Sequence, residues 1–373
     1  MLKKTFKYRL YPTRAQAEAL QAQLGEACRL YNAALQERME AYRTHRKSVS
    51  YVEQAAQLTE IRATGDIGLP NCHCAQDVLR RLDKAFQAFF LRVKSGQKPG
   101  FPRFRSRHRY DSLTFPSYGD GNHLRDRHLE IQGVGAIQIK LHRPLRGRIK
   151  TVSVKRECDA WYVCFSVEHG IQPLPESAQA VGLDMGLDSF AMLSTGDRIA
   201  NPRFGKQAER DLRIAQRRLA RRPDRKSKRR RKAVLVLQKV YRRMSHRRNN
   251  FLHEEARKLI NQFGTICVEE LNVKGLAQGM LSKAVRDAAW SAFIFKLAYK
   301  AEEAGRWLIK VDPRGTSQRC ICGASVPKGL SDREHVCIAC GLITSRDHAS
   351  AMEILRLGMS LQDASTVKQA VLS

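Results

Sequence analysis

Four cysteines towards the carboxyl-terminal end of the chain have the types and spacing of a metal site. Cys337 and Cys340 are separated by two residues, and Cys320 and Cys322 by one. The chain begins MLKKTFKYRL, which lacks the apolar segment and cleavage site of a secretory signal, so we expect reduced thiols. Four thiolates are common ligands of structural Zn²⁺. The spacing therefore predicts a zinc site; His335 is an alternative ligand, and a hairpin without metal is the alternative interpretation.

A second candidate set consists of carboxylates at the boundaries of predicted elements. In the predicted strand AVGLDM, side chains alternate between faces, so Asp184 shares a face with Gly182 and Gly186. The glycines leave room for a ligand or a metal ion to approach Asp184. The more common role of a single aspartate in a strand is at an edge or a bulge.

Two more acidic residues complete this set. Glu269 and Glu270 end the aliphatic strand TICVEE, where burying a carboxylate without a cation is costly. Glu269 is favoured over Glu270, weakly, from the alternation of the strand. Asp347 stands at the start of the last predicted helix, where an ordinary helix cap is the simplest alternative.

A strand aspartate, a later strand-end glutamate and a helix-start aspartate form the set used by RNase H-like nucleases. Three carboxylates can hold two Mg²⁺ (or Mn²⁺) ions about 4 Å apart, one activating water and one stabilising the leaving oxygen. The sequence therefore predicts Asp184, Glu269 and Asp347 as metal ligands for phosphodiester hydrolysis.

The charge of the chain favours a polyanionic partner. There are 67 Lys and Arg against 36 Asp and Glu, a formal net charge of +31, which points to nucleic acid. Residues 203–248 hold 20 of the basic residues and three acidic ones. A solvated charged face is the alternative for this segment. The candidate phosphate-binding residues are Arg225, Lys226, Lys228, Arg229, Arg230, Arg231 and Lys232.

A second basic segment, KSGQKPGFPRFRSRHRY, interleaves cations with aromatic residues. Such a mixture can bind a nucleic-acid backbone and stack bases. Alternatively, Phe101 and Phe104 are core residues on a basic loop. The sequence favours neither interpretation.

The first half of the chain is predicted to contain a strand at residues 2–11 and then one or two amphipathic helices starting after Pro12. A further helix is expected over about 74–95. Short alternating segments over 111–172 predict a small antiparallel β barrel or sandwich. The predicted buried side of the helix over 74–95 comprises Val78, Leu79, Leu82, Phe86, Phe89 and Phe90.

The second half is predicted to begin with three strands from about 180 and two basic helices interrupted near Pro223. A helix over 249–262 then leads into the strand that carries Glu269. A helix over 283–304, another strand, the cysteine hairpin and a helix from about 346 complete the order.

These motifs resemble the TnpB family, transposon-encoded RNA-guided nucleases related to type V CRISPR effectors. The resemblance covers nearly the whole chain: KYRLYPTRAQ, CRLYNAAL, GLDMGL, VEELNVKGL, the Trp290 helix, DPRGTSQRC and SRDHASAMEIL. It implies a RuvC-like triad at Asp184, Glu269 and Asp347. This sequence departs from the family motif, with Ser345 and Ala349 where an acid and an asparagine are usual, and its first cysteine pair is one residue shorter.

The resemblance implies a multidomain α+β protein. A wedge-like β-barrel module is expected over 1–11 and 100–175, with a helical recognition insertion over 12–99. A RuvC-like nuclease domain is expected over 176–312 and 345–360, and it includes basic helices over 203–263. A zinc ribbon over 313–344 and a tail over 361–373 complete the expected organisation. Structural zinc would stiffen the chain just before Asp347.

The resemblance also implies an RNA-guided DNA endonuclease. Its expected partners are a guide RNA from the transposon end and double-stranded target DNA with a short flanking motif. One alternative is a nuclease-inactive, RNA-guided repressor; another is a guide-independent DNA-binding accessory of transposition. With no membrane span and no signal, we expect a protein of the bacterial or archaeal cytoplasm, associated with the nucleoid.

Overall fold

The computed structural model describes residues 2–329 and 332–372, which divide into two compact units at Gly170 and Ile171. In the part of the chain that it describes, no helix is both long enough and apolar enough to cross a membrane.

The first unit contains a seven-stranded antiparallel sheet with hydrogen-bonded order β2-β6-β7-β1-β5-β4-β3. The sequence predicted antiparallel pairing. Among the described strands, β2 and β3 lie at the two ends of the order and are not paired with each other, so the pairing does not close this sheet into a barrel. Alternation explains the strands, since Val163, Phe165 and Val167 of β7 face the core. The strands are β1 (Leu2–Tyr11), β2 (Ser112–Phe115), β3 (Asn122–Arg125), β4 (His128–Ile131), β5 (Gly135–Lys140), β6 (Arg148–Glu157) and β7 (Ala160–His169).

Three helices separate β1 from β2: α1 (Arg14–His45), α2 (Tyr51–Ala63) and α3 (Cys72–Lys94). Thr13 and Gln16 start α1 with a capping box. The amphipathic segment after Pro12 is thus one helix, whereas α2 was not predicted. Only Gln54 and Leu58 of α2 are buried, so its sequence carries little hydrophobic periodicity.

The predicted buried side of α3 is wrong at its carboxyl-terminal end. Val78, Leu79 and Leu82 are buried, but Phe90 is 59% exposed and Phe89 is half-buried. The helix leaves the core after Leu82, and the apolar pattern in the sequence continues beyond that point.

The second unit contains a five-stranded sheet of order β10-β9-β8-β11-β12. Strands β8 to β10 are antiparallel neighbours, whereas β11 runs parallel to both β8 and β12. A two-stranded hairpin, β13 with β14, lies between β12 and the last helix. The strands are β8 (Ala180–Met185), β9 (Ser189–Leu193), β10 (Arg198–Ala200), β11 (Thr265–Glu269), β12 (Trp307–Val311), β13 (Glu334–Val336) and β14 (Ile343–Ser345).

The helices of this unit differ from the prediction in two places, one where a predicted break is absent and one where an unpredicted break occurs. The separate helix expected over 249–262 is the end of one 35-residue helix, α6. The helix expected over 283–304 is divided at Ala289, whose φ of 57° interrupts the regular turn. The helices are α4 (Phe204–Gln207), α5 (Glu209–Ala220), α6 (Lys228–Gln262), α7 (Val273–Leu276), α8 (Ser282–Ala288), α9 (Trp290–Ala304) and α10 (Arg346–Leu372).

Helix α10 starts where the sequence predicts and continues to Leu372, through most of the expected tail. Ser373 lies outside the described residues. Helices α6 and α9 pack together in the core that covers β8 and β11, whereas α10 packs directly on β8, β11 and β12. The sheet therefore brings α10 to the strands that carry Asp184 and Glu269.

Candidate functional site

The two strand carboxylates lie side by side. Parallel pairing places Leu183 opposite Val268, so Asp184 and Glu269 are the next residues on strands about 4.8 Å apart. Gly182 is paired with Cys267, and alternation therefore directs Asp184 and Glu269 to the same face. Glu269 is the last residue of β11 and Asp184 the last but one of β8, so both lie at the carboxyl ends of neighbouring strands.

The neighbouring Glu270 lies in a different environment. Its side chain is 69% exposed and forms an ion pair with Lys310 at 3.3 Å, whereas Glu269 is half-buried. Of the two glutamates, Glu269 is the one whose charge acts on Asp184.

Helix α10 crosses the face that Asp184 shares with Gly182. A Cβ atom at Gly182 would lie 2.1 Å from the carbonyl oxygen of Ala351 and 2.7 Å from the backbone nitrogen of Leu355. The sequence interpretation of this glycine is therefore incomplete, because the space it leaves is occupied by the helix. Close packing at Gly182 is what brings the start of α10 to Asp184.

Asp347 reaches the site from the first turn of α10. It lies about 6 Å along the helix from Ala351, and Asp184 lies about 7 Å along the strand from Gly182. The helix cap is supplied by Ser345, whose Oγ accepts a hydrogen bond from the backbone N–H of His348 at 3.3 Å. Ser345 thus has the capping role that was the simplest alternative interpretation of Asp347.

Electrostatics link the three carboxylates. The pKa of Asp184 is raised to about 7, first by burial and then by the negative charges of Glu269 and Asp347, against a lowering by Arg346. Burial also raises the pKa of Glu269, against a lowering by its hydrogen bond with Thr316. Mutual repulsion of this kind is relieved by a divalent cation, so the residues fit a Mg²⁺ or Mn²⁺ site.

Two supporting residues had not been singled out from the sequence. The buried Thr316 hydroxyl donates to Oε1 of Glu269 and also lies 3.1 Å from the carbonyl oxygen of Pro313. His348 Nε2 lies 3.2 Å from the carbonyl oxygen of Ser194, and its Nδ1 lies 2.9 Å from Oγ1 of Thr344. No signal in the sequence pointed to Thr316, because this residue lies 47 positions after Glu269 and the two meet only in the folded structure.

The four cysteines form one compact group that could bind zinc. Their sulphur atoms all lie within 4.8 Å of one another. Cys320 and Cys340 are 3.6 Å apart, and Cys322 and Cys337 are 3.7 Å apart. Tetrahedral Zn–S bonds of about 2.3 Å require sulphur separations of about 3.8 Å. The cysteines alone supply a full ligand set, so His335 is not needed as a substitute.

The shorter first pair is accommodated by a tighter turn. The backbone N–H of Gly341 donates to the Cys337 carbonyl at 2.8 Å, whereas that of Gly323 donates to the Cys320 carbonyl at 2.8 Å, one residue closer in sequence. Both glycines have positive φ, 76° and 89° respectively. The pKa of Cys337 is lowered to about 7, first by the backbone N–H of Cys340 and also by hydrogen bonds with the other three cysteine side chains, which favours its thiolate.

The cysteine hairpin leads directly into α10. Strand β14 ends at Ser345 and the helix begins at Arg346. The backbone N–H of Arg346 donates to the Arg333 carbonyl, and its side chain donates to the Gly329 carbonyl, both at 2.8 Å. The hairpin thus holds the residue next to Asp347.

The predicted basic cluster lies at the start of α6 and in the preceding loop. Arg230 differs from its neighbours, because its guanidinium donates to the carbonyls of Leu219 and Arg222 and so joins α6 to the end of α5. The other six members are exposed. A cavity of about 540 Å³, bordered mainly by arginines, lies here; its lining is Ile214, Arg217, Arg218, Arg221, Arg222 and Arg229. Four lining arginines lie outside the predicted set, Arg217 and Arg218 on α5 and Arg221 and Arg222 just after its end.

Comparison with protein families gives three matches along the chain. A family described as "Probable transposase" matches residues 162–280, and "Cas12f1-like, TNB domain" matches residues 290–354. A "Helix-turn-helix domain" family matches residues 1–47. In this structure those residues form strand β1 and the single helix α1, so the last description does not fit the fold.

Named relatives define the class. A "Putative RNA-guided DNA endonuclease" of Streptomyces pristinaespiralis is 32% identical, covering 96% of this chain and 90% of the relative. The "Putative RNA-guided DNA endonuclease InsQ" of Escherichia coli is 26% identical, covering 95% of this chain and 92% of the relative. The class is therefore that of the nucleases.

A shorter match connects the chain with CRISPR nucleases. A "CRISPR-associated endodeoxyribonuclease Cas12f1" of Sulfoacidibacillus thermotolerans is 32% identical over 30% of this chain and 25% of the relative. With the near full-length relatives above, the chain belongs to the TnpB family.

Proposed function

We propose that this protein is an RNA-guided DNA endonuclease whose cleavage site is formed by Asp184, Glu269 and Asp347. The observation that carries the proposal is the convergence of these carboxylates from β8, β11 and α10. The strand order of the second unit supports an RNase H-like, RuvC-like domain, in agreement with the resemblance seen in the sequence.

The three carboxylates would hold two divalent cations, Mg²⁺ or Mn²⁺. Bound there, the cations would activate water and stabilise the leaving oxygen of a phosphodiester. Thr316 holds Oε1 of Glu269 in a fixed direction. Close packing of α10 at Gly182 fixes the position of Asp347 relative to the strands.

The remaining assignments follow from charge and topology. We assign the cysteine group to a structural zinc, which fixes the hairpin before α10. The basic residues of α5 and α6 would hold a guide–target heteroduplex through its phosphates. The sheet and helices of the first unit would form the wedge-like and recognition modules, and a guide RNA from the transposon end would supply sequence specificity.

The test begins with the RNA that accompanies the purified protein. That RNA would be sequenced, and a plasmid would carry a match to its free end beside a randomised flank. We expect double-strand cleavage that requires Mg²⁺ or Mn²⁺, a match and a restricted set of flanks. Guided binding without cleavage would identify a repressor, and binding without any RNA would identify an accessory DNA-binding protein; either result would overturn the proposal.

A further inference from the structure

The first unit exposes a cluster of phenylalanines that the proposed chemistry does not use. Phe86, Phe89 and Phe90 lie at the end of α3, and Phe101 packs on them from the following loop. The ring centroids of Phe101 lie 5.5 Å from Phe86 and 5.3 Å from Phe89, and those of Phe89 and Phe90 are 5.2 Å apart. We call these four residues the phenylalanine patch.

The outer rings of the patch face solvent. Phe90 is 59% exposed and Phe101 is 46% exposed, and the nearby Phe104 is 53% exposed. The sequence left open whether Phe101 and Phe104 belong to the core, and the structure places both at the surface. Adjacent exposed aromatic rings of this kind are typical of binding surfaces.

The patch is held rigidly from beneath. The buried Arg38 lies 5.1 Å from the centre of the Phe86 ring and donates hydrogen bonds to Gln54 at 2.8 Å and Asp83 at 3.2 Å. On the loop side, Asn32 bonds both the N–H and the carbonyl of Arg105 at 2.8 Å. The aromatic rings therefore need little ordering when a ligand binds.

The charge around the patch selects the ligand. Residues 91–109, which we call the basic segment, contain seven Lys and Arg and no acidic residue. Within the part of the chain that the structure describes, all seven of these side chains are exposed and none forms an ion pair. They are Arg92, Lys94, Lys98, Arg103, Arg105, Arg107 and Arg109.

We propose that the phenylalanine patch and the basic segment bind an unpaired nucleic-acid strand. Bases stack on Phe90 and Phe101, and phosphates are bound by the cations of the basic segment. Aromatic rings flanked by cations suit an unpaired strand, because the faces of bases are free only outside a duplex. The proposal rests on the proposed function in taking nucleic acid as the partner, and it adds a site remote in sequence from the carboxylates.

The test measures binding by the full-length protein with its co-purified RNA, whose amount is checked to be equal in all variants. The probes are fluorescein-labelled 20-nucleotide single-stranded DNA, the same sequence as RNA, and the corresponding DNA duplex. We expect Phe90→Ala to weaken binding of a single-stranded probe about ten-fold and to affect the duplex much less. Phe295→Ala, at a phenylalanine 70% exposed in the second unit, is the matched control and should change nothing.

A second variant reports stacking itself. Phe90→Trp should keep the affinity, and the added tryptophan fluorescence should be quenched when the strand binds. The single-stranded DNA and RNA arms show which strand is preferred. Equal affinities for wild type and Phe90→Ala, or no quenching in Phe90→Trp, would overturn the proposal.

Anionic lipid is the competing ligand, and it is tested with phosphatidylglycerol vesicles. Vesicle binding that is lost in Phe90→Ala, with oligonucleotide binding unchanged, would also overturn the proposal. Plasmid cleavage is scored separately in wild type. Failure of cleavage would therefore count against the nuclease proposal, whereas failure of these binding tests would count against the patch alone.

Discussion

At the level of single residues, Thr316 orients Glu269, a carboxylate that we propose as a metal ligand. Its buried hydroxyl donates a hydrogen bond to Oε1 of Glu269 and so restrains the orientation of that carboxylate. Partners that orient metal ligands commonly change metal affinity by 10- to 100-fold, as an order of magnitude.

We therefore predict that Thr316→Val, which keeps the shape but removes the hydroxyl, weakens Mn²⁺ binding by about ten-fold. Thr316→Ser retains the donor and should stay close to wild type. Binding would be followed by Mn²⁺ electron paramagnetic resonance, and cleavage by the Mn²⁺ concentration at half-maximal rate. Equal Mn²⁺ affinities in Thr316→Val and wild type would show that the hydroxyl is dispensable.

Asp184 gives the site a defined pH dependence. Its pKa is raised to about 7 in the metal-free protein, so below that pH a cation must displace a proton, whereas above it the carboxylate is already ionised. We predict that Mn²⁺ affinity falls by up to about ten-fold per pH unit below 7 and levels off above it. Calorimetric titrations from pH 6 to 8 would measure this, and constant affinity across the range would contradict it.

At the level of elements, the cysteine hairpin connects metal binding with the position of α10. Its four sulphurs have the separations of a tetrahedral site, and its last strand continues into the helix that carries Asp347. Loss of the metal should therefore loosen the start of α10.

We predict that the purified protein contains about one zinc and that Cys337→Ser abolishes it, because a structural site requires all its thiolates. Cys72→Ser, at an exposed cysteine outside the group, is the control. Elemental analysis gives the zinc content, and thermal unfolding gives the stability. Zinc-free wild type, or full zinc content in Cys337→Ser, would remove this assignment.

Helices α5 and α6 form the arginine-lined cavity, and they should bind phosphates as a pair. We predict that Arg217→Gln with Arg221→Gln lowers the slope of log affinity against log salt by about 1.5 to 2. The charge-matched control is Arg14→Gln with Arg125→Gln, two exposed arginines of the first unit. Arg230 is unsuitable for this test, because it joins the two helices. Equal slopes for the two double variants would mean that the cavity does not bind phosphate.

Hydrophobic periodicity predicted most of the strands and helices that carry the site residues, but it did not predict how α10 packs on the strands. The strands carrying Asp184 and Glu269 and the start of α10 could be found from local pattern. The contact of α10 with Gly182 could not, since it joins residues distant in sequence, and Gly182 was interpreted as space for a ligand. The break at Ala289 also escaped prediction, because alanine gives no local signal for positive φ.

At the scale of the whole molecule, we expect the basic surface and the three carboxylates to have separate roles, in binding and in cleavage. The net charge of +31 favours nucleic acid as a partner, whereas the three carboxylates that we propose as ligands of divalent cations lie together near the ends of β8 and β11. Removing one carboxylate takes away a metal ligand and leaves the basic surface unchanged. Binding and cleavage should therefore be separable.

The most direct test compares wild type, Asp184→Ala and Asp188→Ala on a plasmid matching the bound RNA. Asp188 is the control, because its side chain is 85% exposed and pairs with Arg203. We predict that Asp184→Ala abolishes cleavage while guide-directed binding stays within about two-fold of wild type, and that Asp188→Ala cuts normally. Cleavage that persists in Asp184→Ala would contradict the assignment of the metal site.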